Sequence, residues 1–155
     1  MRVYRIEREK YLSQTLLGNG AALSKGFRWN SLLTRLVYTA ETRALATLEV
    51  AVHLDLSEDL PIDRYYVEIE LPDDLPMQEV QIADLPIDWD AKPPRITTQI
   101  IGDDFVAYAQ TAVLKVPSSI VPQEYNYLIN PLHPDSARIR VISETPMTFD
   151  QRFTH

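Results

Sequence analysis

The chain has 155 residues, 45% hydrophobic and 24% charged, with a formal net charge of -7 and no cysteine. That length and balance fit one compact domain over residues 1–155 and exclude a disordered chain, a disulfide framework, thiolate metal sites and a cysteine nucleophile. No run nears the roughly 18 apolar residues of a membrane-spanning helix, and an acidic chain is poorly suited to broad binding of a nucleic-acid backbone.

The N-terminus, MRVYRIEREK, is charged and alternating, unlike a signal peptide, so a cytoplasmic protein is expected. Arg2 to Glu7 predicts a first strand, with Val3 facing one way and Tyr4 the other. Gly18, Gly20 and Gly26, three of the four glycines, fall within nine positions and predict an irregular segment. Such a loop either connects elements or brings backbone close to a ligand. From Lys25 to His53 the chain carries Lys25, Arg28, Arg35 and Arg43 against a single acid, Glu41, before Glu49. A local positive excess in an acidic protein points to an anionic ligand or to ion pairs holding the fold.

Leu36-Val37-Tyr38 reads as a short buried strand. Thr39 is the expected N-cap of a helix over Ala40 to Leu54, with Glu41 in its first turn, where the helix dipole favours an acid. Leu45, Leu48 and Val52 mark the face expected to be buried, and Glu49 lies on or beside it. A carboxylate there is costly unless it is paired, snorkels to water or is used. An acidic, proline-containing connection from Asp55 to Asp63 follows. Arg64 to Leu71 alternates as a strand, with Tyr65, Val67, Ile69 and Leu71 on one face. A turn at Pro72, a short strand at Glu79 to Ile82 and an ordered loop from Asp84 to Pro94 closed by Trp89 come next. Thr97 to Ala109 predicts a helix with Ile101, Phe105 and Tyr108 on one side and Gly102 weakening its middle.

Ala112 to Val116 predicts a buried strand, and Ile139 to Ile142 a last one. Between them, VPSSIVPQEYNYLINPLHPD is too rich in proline for long regular structure yet apolar enough to pack. Asn126 and Asn130 are the kind of residue that satisfies backbone groups in turns, and Ser118 and Ser119 sit where a hydroxyl can hold a loop or meet a ligand. His53, His133 and His155 show no metal-binding spacing, and there is no GxSxG elbow, Walker motif or GxGxxG. His53 is expected to be a packed or capping histidine.

Several segments in order resemble the RES-domain family, named for its arginine, glutamate and serine. They are Arg28-Trp29-Asn30, VYTAET at 37–42, ALATLEVAVHL at 44–54, LPIDWD at 85–90, IGDDF at 101–105, VPSSIVPQEYNYLINPLHPD at 116–135 and FDQR at 149–152. The chain departs from the family where Phe27 replaces a common glycine and Phe105 a common tryptophan. The resemblance implies an α+β fold of the ADP-ribosyltransferase type, with a split, mostly antiparallel sheet flanked by helices around an NAD-binding cleft.

It also implies a toxin of a toxin–antitoxin pair that degrades NAD+ at the nicotinamide–ribose bond, as a phosphorylase or a glycohydrolase. NAD+ would be the substrate rather than a cofactor, with inorganic phosphate or water as acceptor and no metal. The implied partner is an Xre-type helix-turn-helix antitoxin, which carries the DNA contact, so direct nucleic-acid and membrane binding are not expected. A homodimer and a hetero-oligomer with the antitoxin are both open. By carry-over Arg28, Tyr38, Glu49 and Ser118 are the catalytic set, and Arg28, Tyr38, Asn126 and Asn130 are the substrate-binding residues, the two asparagines from behind the others. Ser118 is preferred to Ser119 because it directly follows the Val-Pro pair. Arg28 offers a fork of donors for a pyrophosphate, Tyr38 a ring for the cationic nicotinamide, and Glu49 a charge for an oxocarbenium-like ribose. A protein ADP-ribosyltransferase using the same cleft, and a silent module that only binds an antitoxin, are the alternatives.

Overall fold

Strand-forming segments in this chain are short, and the alternation in each tells which face it buries. The computed structural model describes residues 1–23, 26–54 and 60–154. Its strands are β1 (Arg2–Arg8), β2 (Val37–Ala40), β3 (Arg64–Glu70), β4 (Met77–Glu79), β5 (Val113–Pro117), β6 (Tyr125–Ile129) and β7 (Arg140–Met147). They form one sheet in the order β4-β5-β6-β2-β1-β3-β7. Among the described strands only β4 and β5 pair in parallel. The two halves of the sheet, β4-β5-β6-β2 and β1-β3-β7, join at a single residue pair, Tyr4 with Ala40. The expected α+β class, with a split and mostly antiparallel sheet flanked by helices, is therefore the architecture found.

Three helices are described: α1 (Asn19–Ala22), α2 (Arg43–Ala51) and α3 (Ile96–Tyr108). The antiparallel register assigns the faces of the central strands, because directly paired residues point the same way. Tyr38 pairs with Leu128 and Ala40 with Asn126. Leu114 pairs with Leu128 and Val116 with Asn126. Tyr38, Ala40, Asn126 and Val116 thus share one face. On it, Leu114, Val116, Leu128 and Leu36 pack with Trp29, Trp89 and Phe105, and Ala40 and Ile6 pack with Leu45, Ala46 and Ala51 of α2. The opposite face carries Val3, Val37, Val67, Ile69, Val113 and Ile129 in a separate apolar layer.

Several local expectations move. The strand at Val37 continues to Ala40, so Thr39 is not a cap; its buried hydroxyl donates to the Tyr127 carbonyl at 2.7 Å. Thr42 caps α2 instead, its Oγ1 accepting from the Leu45 amide at 3.0 Å. The buried face of α2 is Leu45, Ala46 and Ala51, while Val52 is exposed, because the helix ends at Ala51 and Val52 is its C-cap. The strand expected at Glu79 to Ile82 lies instead at Met77–Glu79, and Ile82–Asp84 is a 3-10 turn. The last strand extends to Met147, eight residues rather than four, because β3 offers a partner along that length. A strand, β6, also forms within the proline-rich segment, in the gap between Pro122 and Pro131. On α3, Thr98, Gly102 and Phe105 are buried and Tyr108 is exposed. Lys25, His155 and the 55–59 part of the acidic connection lie outside the described residues.

Candidate active site

Glu49 sits in the second turn of α2, facing the end of the β5–β6 hairpin where the 118–124 loop joins the two strands. Its Oε1 and Oε2 each accept from Asn126 Nδ2 at 2.9 Å, and Oε1 accepts from Ser118 Oγ at 3.1 Å. Asn126 also donates to the Thr39 carbonyl at 3.1 Å, which ties β6 to β2 at the same point. Ser118 is fully buried just past β5, and its Oγ accepts from the amides of Ile120 (3.1 Å) and Val121 (3.2 Å). Those two amides direct the hydroxyl proton toward Glu49. Among the described residues Glu49 makes no ion pair. Burial pushes its carboxyl above the ordinary range, against the lowering effect of the Asn126 and Ser118 hydrogen bonds, and Glu124 adds to the rise.

Tyr38 lies on the same sheet face, two residues before Ala40. Its hydroxyl donates to Asn30 Oδ1 at 2.6 Å and accepts from the Trp29 amide at 3.2 Å. Burial drives the phenol's pKa far above the neutral range, so the group stays protonated. Phe27 meets the Tyr38 ring edge-on, with centroids 5.4 Å apart. Arg28 precedes Trp29 and uses Nη1 to donate to the carbonyls of Trp89 (2.8 Å) and Ala91 (3.1 Å). No carboxylate among the described residues reaches ion-pair distance of Arg28, and burial pulls its pKa down from the usual arginine value. With Nη1 committed to carbonyls, the fork is aimed by the 89–91 loop, whose Asp90 acts on its charge from beyond ion-pair distance and partly offsets the effect of burial.

The structure thus brings Glu49, Ser118 and Asn126 into one hydrogen-bonded group, and Arg28 and Tyr38 into another on the same sheet face. Asn130 is not brought to either. It lies beyond the far end of β6, four residues or roughly 13 Å along an extended strand from Asn126. There it donates from Nδ2 to the Val106 carbonyl at 3.4 Å, and its Oδ1 accepts from the Leu132 amide at 3.0 Å, the turn role expected of such residues. The positive run also disperses. Arg43 pairs with Glu68 at 3.4 Å and lies over the Tyr4 ring at 4.4 Å, and Arg35 is exposed. Of the described cations of that run, only Arg28 stands beside Tyr38. His53 is exposed just past the end of α2 rather than packed. A groove of about 310 Å³ between α3 and β4, lined by Gln78, Ile101, Asp104 and Tyr108 among others, contains none of these residues.

Sequence reasoning missed the supports. Asn30, wholly buried, and the carbonyls of Trp89 and Ala91 hold Tyr38 and Arg28, and backbone carbonyls carry no residue-type signal. On α3, Gln99 donates to the Phe27 carbonyl at 3.1 Å, and Asp103 accepts from the Ser31 amide at 3.0 Å and hydroxyl at 2.5 Å. Their spacing of four on one helix face was the available clue.

A family model described as RES domain matches residues 2–150. A protein of Sphingobium sp. (strain YBL2), named Prs ADP-ribosylating toxin, is 42% identical over 145 residues, covering 92% of this chain and 88% of that one. A protein named Toxin Res from Photorhabdus laumondii subsp. laumondii is 36% identical over 135 residues, covering 87% of this chain and 85% of its own. Among solved structures, the Mycobacterium tuberculosis MbcT-MbcA toxin-antitoxin complex contains a chain that superposes with a TM-score of 0.75 at 14% identity, over 95% of this chain and 84% of that one.

Proposed function

The chain belongs to the RES domain family, and from that premise we propose that it is the toxin of a toxin–antitoxin pair that breaks the nicotinamide–ribose bond of NAD+. The observation that carries this reading is Glu49: a largely buried carboxylate, anchored by Asn126 and Ser118, with no cation neutralising it among the described residues. An oxocarbenium-like ribose develops positive charge as nicotinamide leaves, and a fixed, unneutralised carboxylate lowers the energy of that state more than of the ground state. Nicotinamide departs neutral, so no acid is required. That agrees with the phenol of Tyr38, which is held protonated between Asn30 and the Trp29 amide and is not placed to exchange protons.

In this reading Arg28 meets the pyrophosphate, the ring of Tyr38 faces nicotinamide, Glu49 acts on the ribose, and Ser118 and Asn126 hold Glu49. NAD+ is the substrate, drawn from the cytoplasmic pool, and no cofactor is assigned. The acceptor is inorganic phosphate or water. The partner is a helix-turn-helix antitoxin of the Xre type, a reading supported by the fold shared with a chain from a toxin-antitoxin complex.

The test is NAD+ consumption by the purified protein with and without inorganic phosphate, the products separated by chromatography. Loss of NAD+ that disappears in Glu49→Ala and Arg28→Ala supports the assignment; turnover unchanged in both variants would sink it. A second reading, transfer of ADP-ribose to a protein side chain in the same cleft, is favoured by the name of the 42% identical relative. Label moving from NAD+ to protein, with little free ADP-ribose, separates it from the first.

A further inference from the structure

Asn30 is completely buried, and its side chain joins three segments. Its Nδ2 donates to the carbonyls of Ala21 and Ser31, both at 3.0 Å, and its Oδ1 accepts the Tyr38 hydroxyl at 2.6 Å. The same phenol oxygen accepts from the amide of Trp29, the residue directly after Arg28. The hydroxyl is therefore the common point between the strand that carries the aromatic ring and the loop that carries the guanidinium. The loop is in turn held to α3. Gln99 and Asp103 bind it on either side of Trp29. Between them, Gly102 lies so close to Trp29 that a Cβ there would stand 1.5 Å from the Trp29 carbonyl oxygen.

We infer that Asn30 is a positioning residue for the NAD+ reaction, setting the Tyr38 ring and the Arg28 guanidinium at a fixed separation through the Tyr38 hydroxyl. The inference rests on the NAD+ reading above. It assigns the phenol oxygen to a structural joint and leaves only the ring for substrate. An amide suits the joint better than a carboxylate or hydroxyl. Asn30 must accept from the phenol and donate to two carbonyls at once, which only a carboxamide does with one side chain.

The test compares Asn30→Ala, Tyr38→Phe and the double variant by initial rates of NAD+ loss, with far-UV circular dichroism to confirm folding. Asn30→Ala should raise KM for NAD+ and lower kcat/KM on the order of a hundredfold, the scale of a misplacement of about 1 Å. Tyr38→Phe, which keeps the ring and removes the joint, should move KM in the same direction. The double variant should be no worse than Asn30→Ala, because each single change breaks the same link. A purely structural role would shrink the active fraction, and with it kcat, while KM stayed put. A folded Asn30→Ala with unchanged KM, or losses that add in the double variant, would overturn the inference. Should Asn30→Ala not fold, Tyr38→Phe decides alone: raised KM supports the joint and unchanged KM removes it. Absence of NAD+ turnover in the parent protein is a different result, which overturns the NAD+ reading and this inference with it.

Discussion

At the residue scale the proposed chemistry turns on two charged groups, Glu49 and Arg28, that make no ion pair among the described residues. Most charged side chains here are paired, as Arg2 and Arg43 are with Glu68, and Arg152 with Asp150. Glu49 and Arg28 are hydrogen-bonded to neutral groups instead, so their charges stay available to a ligand. Replacing Glu49 by Ala should cut kcat for NAD+ cleavage by about a hundred- to a thousandfold, the range seen when one preorganised electrostatic group is removed. Steady-state kinetics on that variant checks it. Arg28→Lys should mainly raise KM. An ammonium cannot bond the Trp89 and Ala91 carbonyls and still present a planar fork to a pyrophosphate. A larger fall in kcat than rise in KM would contradict the binding role.

At the element scale, two helices present the site. α2 places Glu49 and owes its start to Thr42, whose hydroxyl satisfies the Leu45 amide. Thr42→Ala should cost about 1 kcal/mol of stability, read as a lower thermal midpoint, and should loosen the turn that aims Glu49. α3 holds the Arg28 loop through Gln99, Gly102 and Asp103. An isolated glycine in a helix normally costs up to about 1 kcal/mol against alanine. At Gly102 the sign reverses, because any side chain would collide with the Trp29 backbone rather than with a yielding side chain. Gly102→Ala is expected to destabilise the protein by about 1–3 kcal/mol and to lower NAD+ turnover beyond the loss of folded protein. Calorimetry beside activity per folded molecule separates the two effects.

For the whole molecule the buried carboxyl couples stability to pH. Its folded pKa is raised by burial, so the folded state holds that proton more tightly than the unfolded chain. The stabilisation this gives is complete below the ordinary carboxylate value and is lost as pH rises through the raised one. Hydrogen bonds act the other way at Asp63 (from Arg8), Glu68 (from Ser143 and Arg2) and Asp150, brought down to about 2 by Arg152. Their stabilisation is present at neutral pH and fades on acidification. Comparing the parent with Glu49→Gln cancels these terms. The melting temperature of the variant relative to the parent should increase between acid and neutral pH, and a difference independent of pH would contradict the buried charge. On the proposed mechanism NAD+ turnover should rise with pH through the same raised value, since only an ionised carboxylate would stabilise the ribose cation.

Much of this was legible in the residues. Alternation located β1 and β3, helical spacing located α2 and α3, and the ordered RES segments named Arg28, Tyr38, Glu49 and Ser118 as candidates. Local patterns could do this because side-chain period and backbone geometry are properties of neighbouring residues. The cap of α2 and the length of β7 were less legible, since each depends on a partner strand that competes for the same residues. Beyond reach was the network itself. Glu49 meets Ser118 across 69 positions and Asn126 across 77. Arg28 is aimed by carbonyls that every residue possesses, and Asn126 and Asn130 look alike in sequence while only one faces the carboxylate. The sequence by itself determined which side chains were present to do chemistry; only the packing of α2 and α3 on one sheet face decided which of them meet, because burial and pairing are set by elements far apart in the chain.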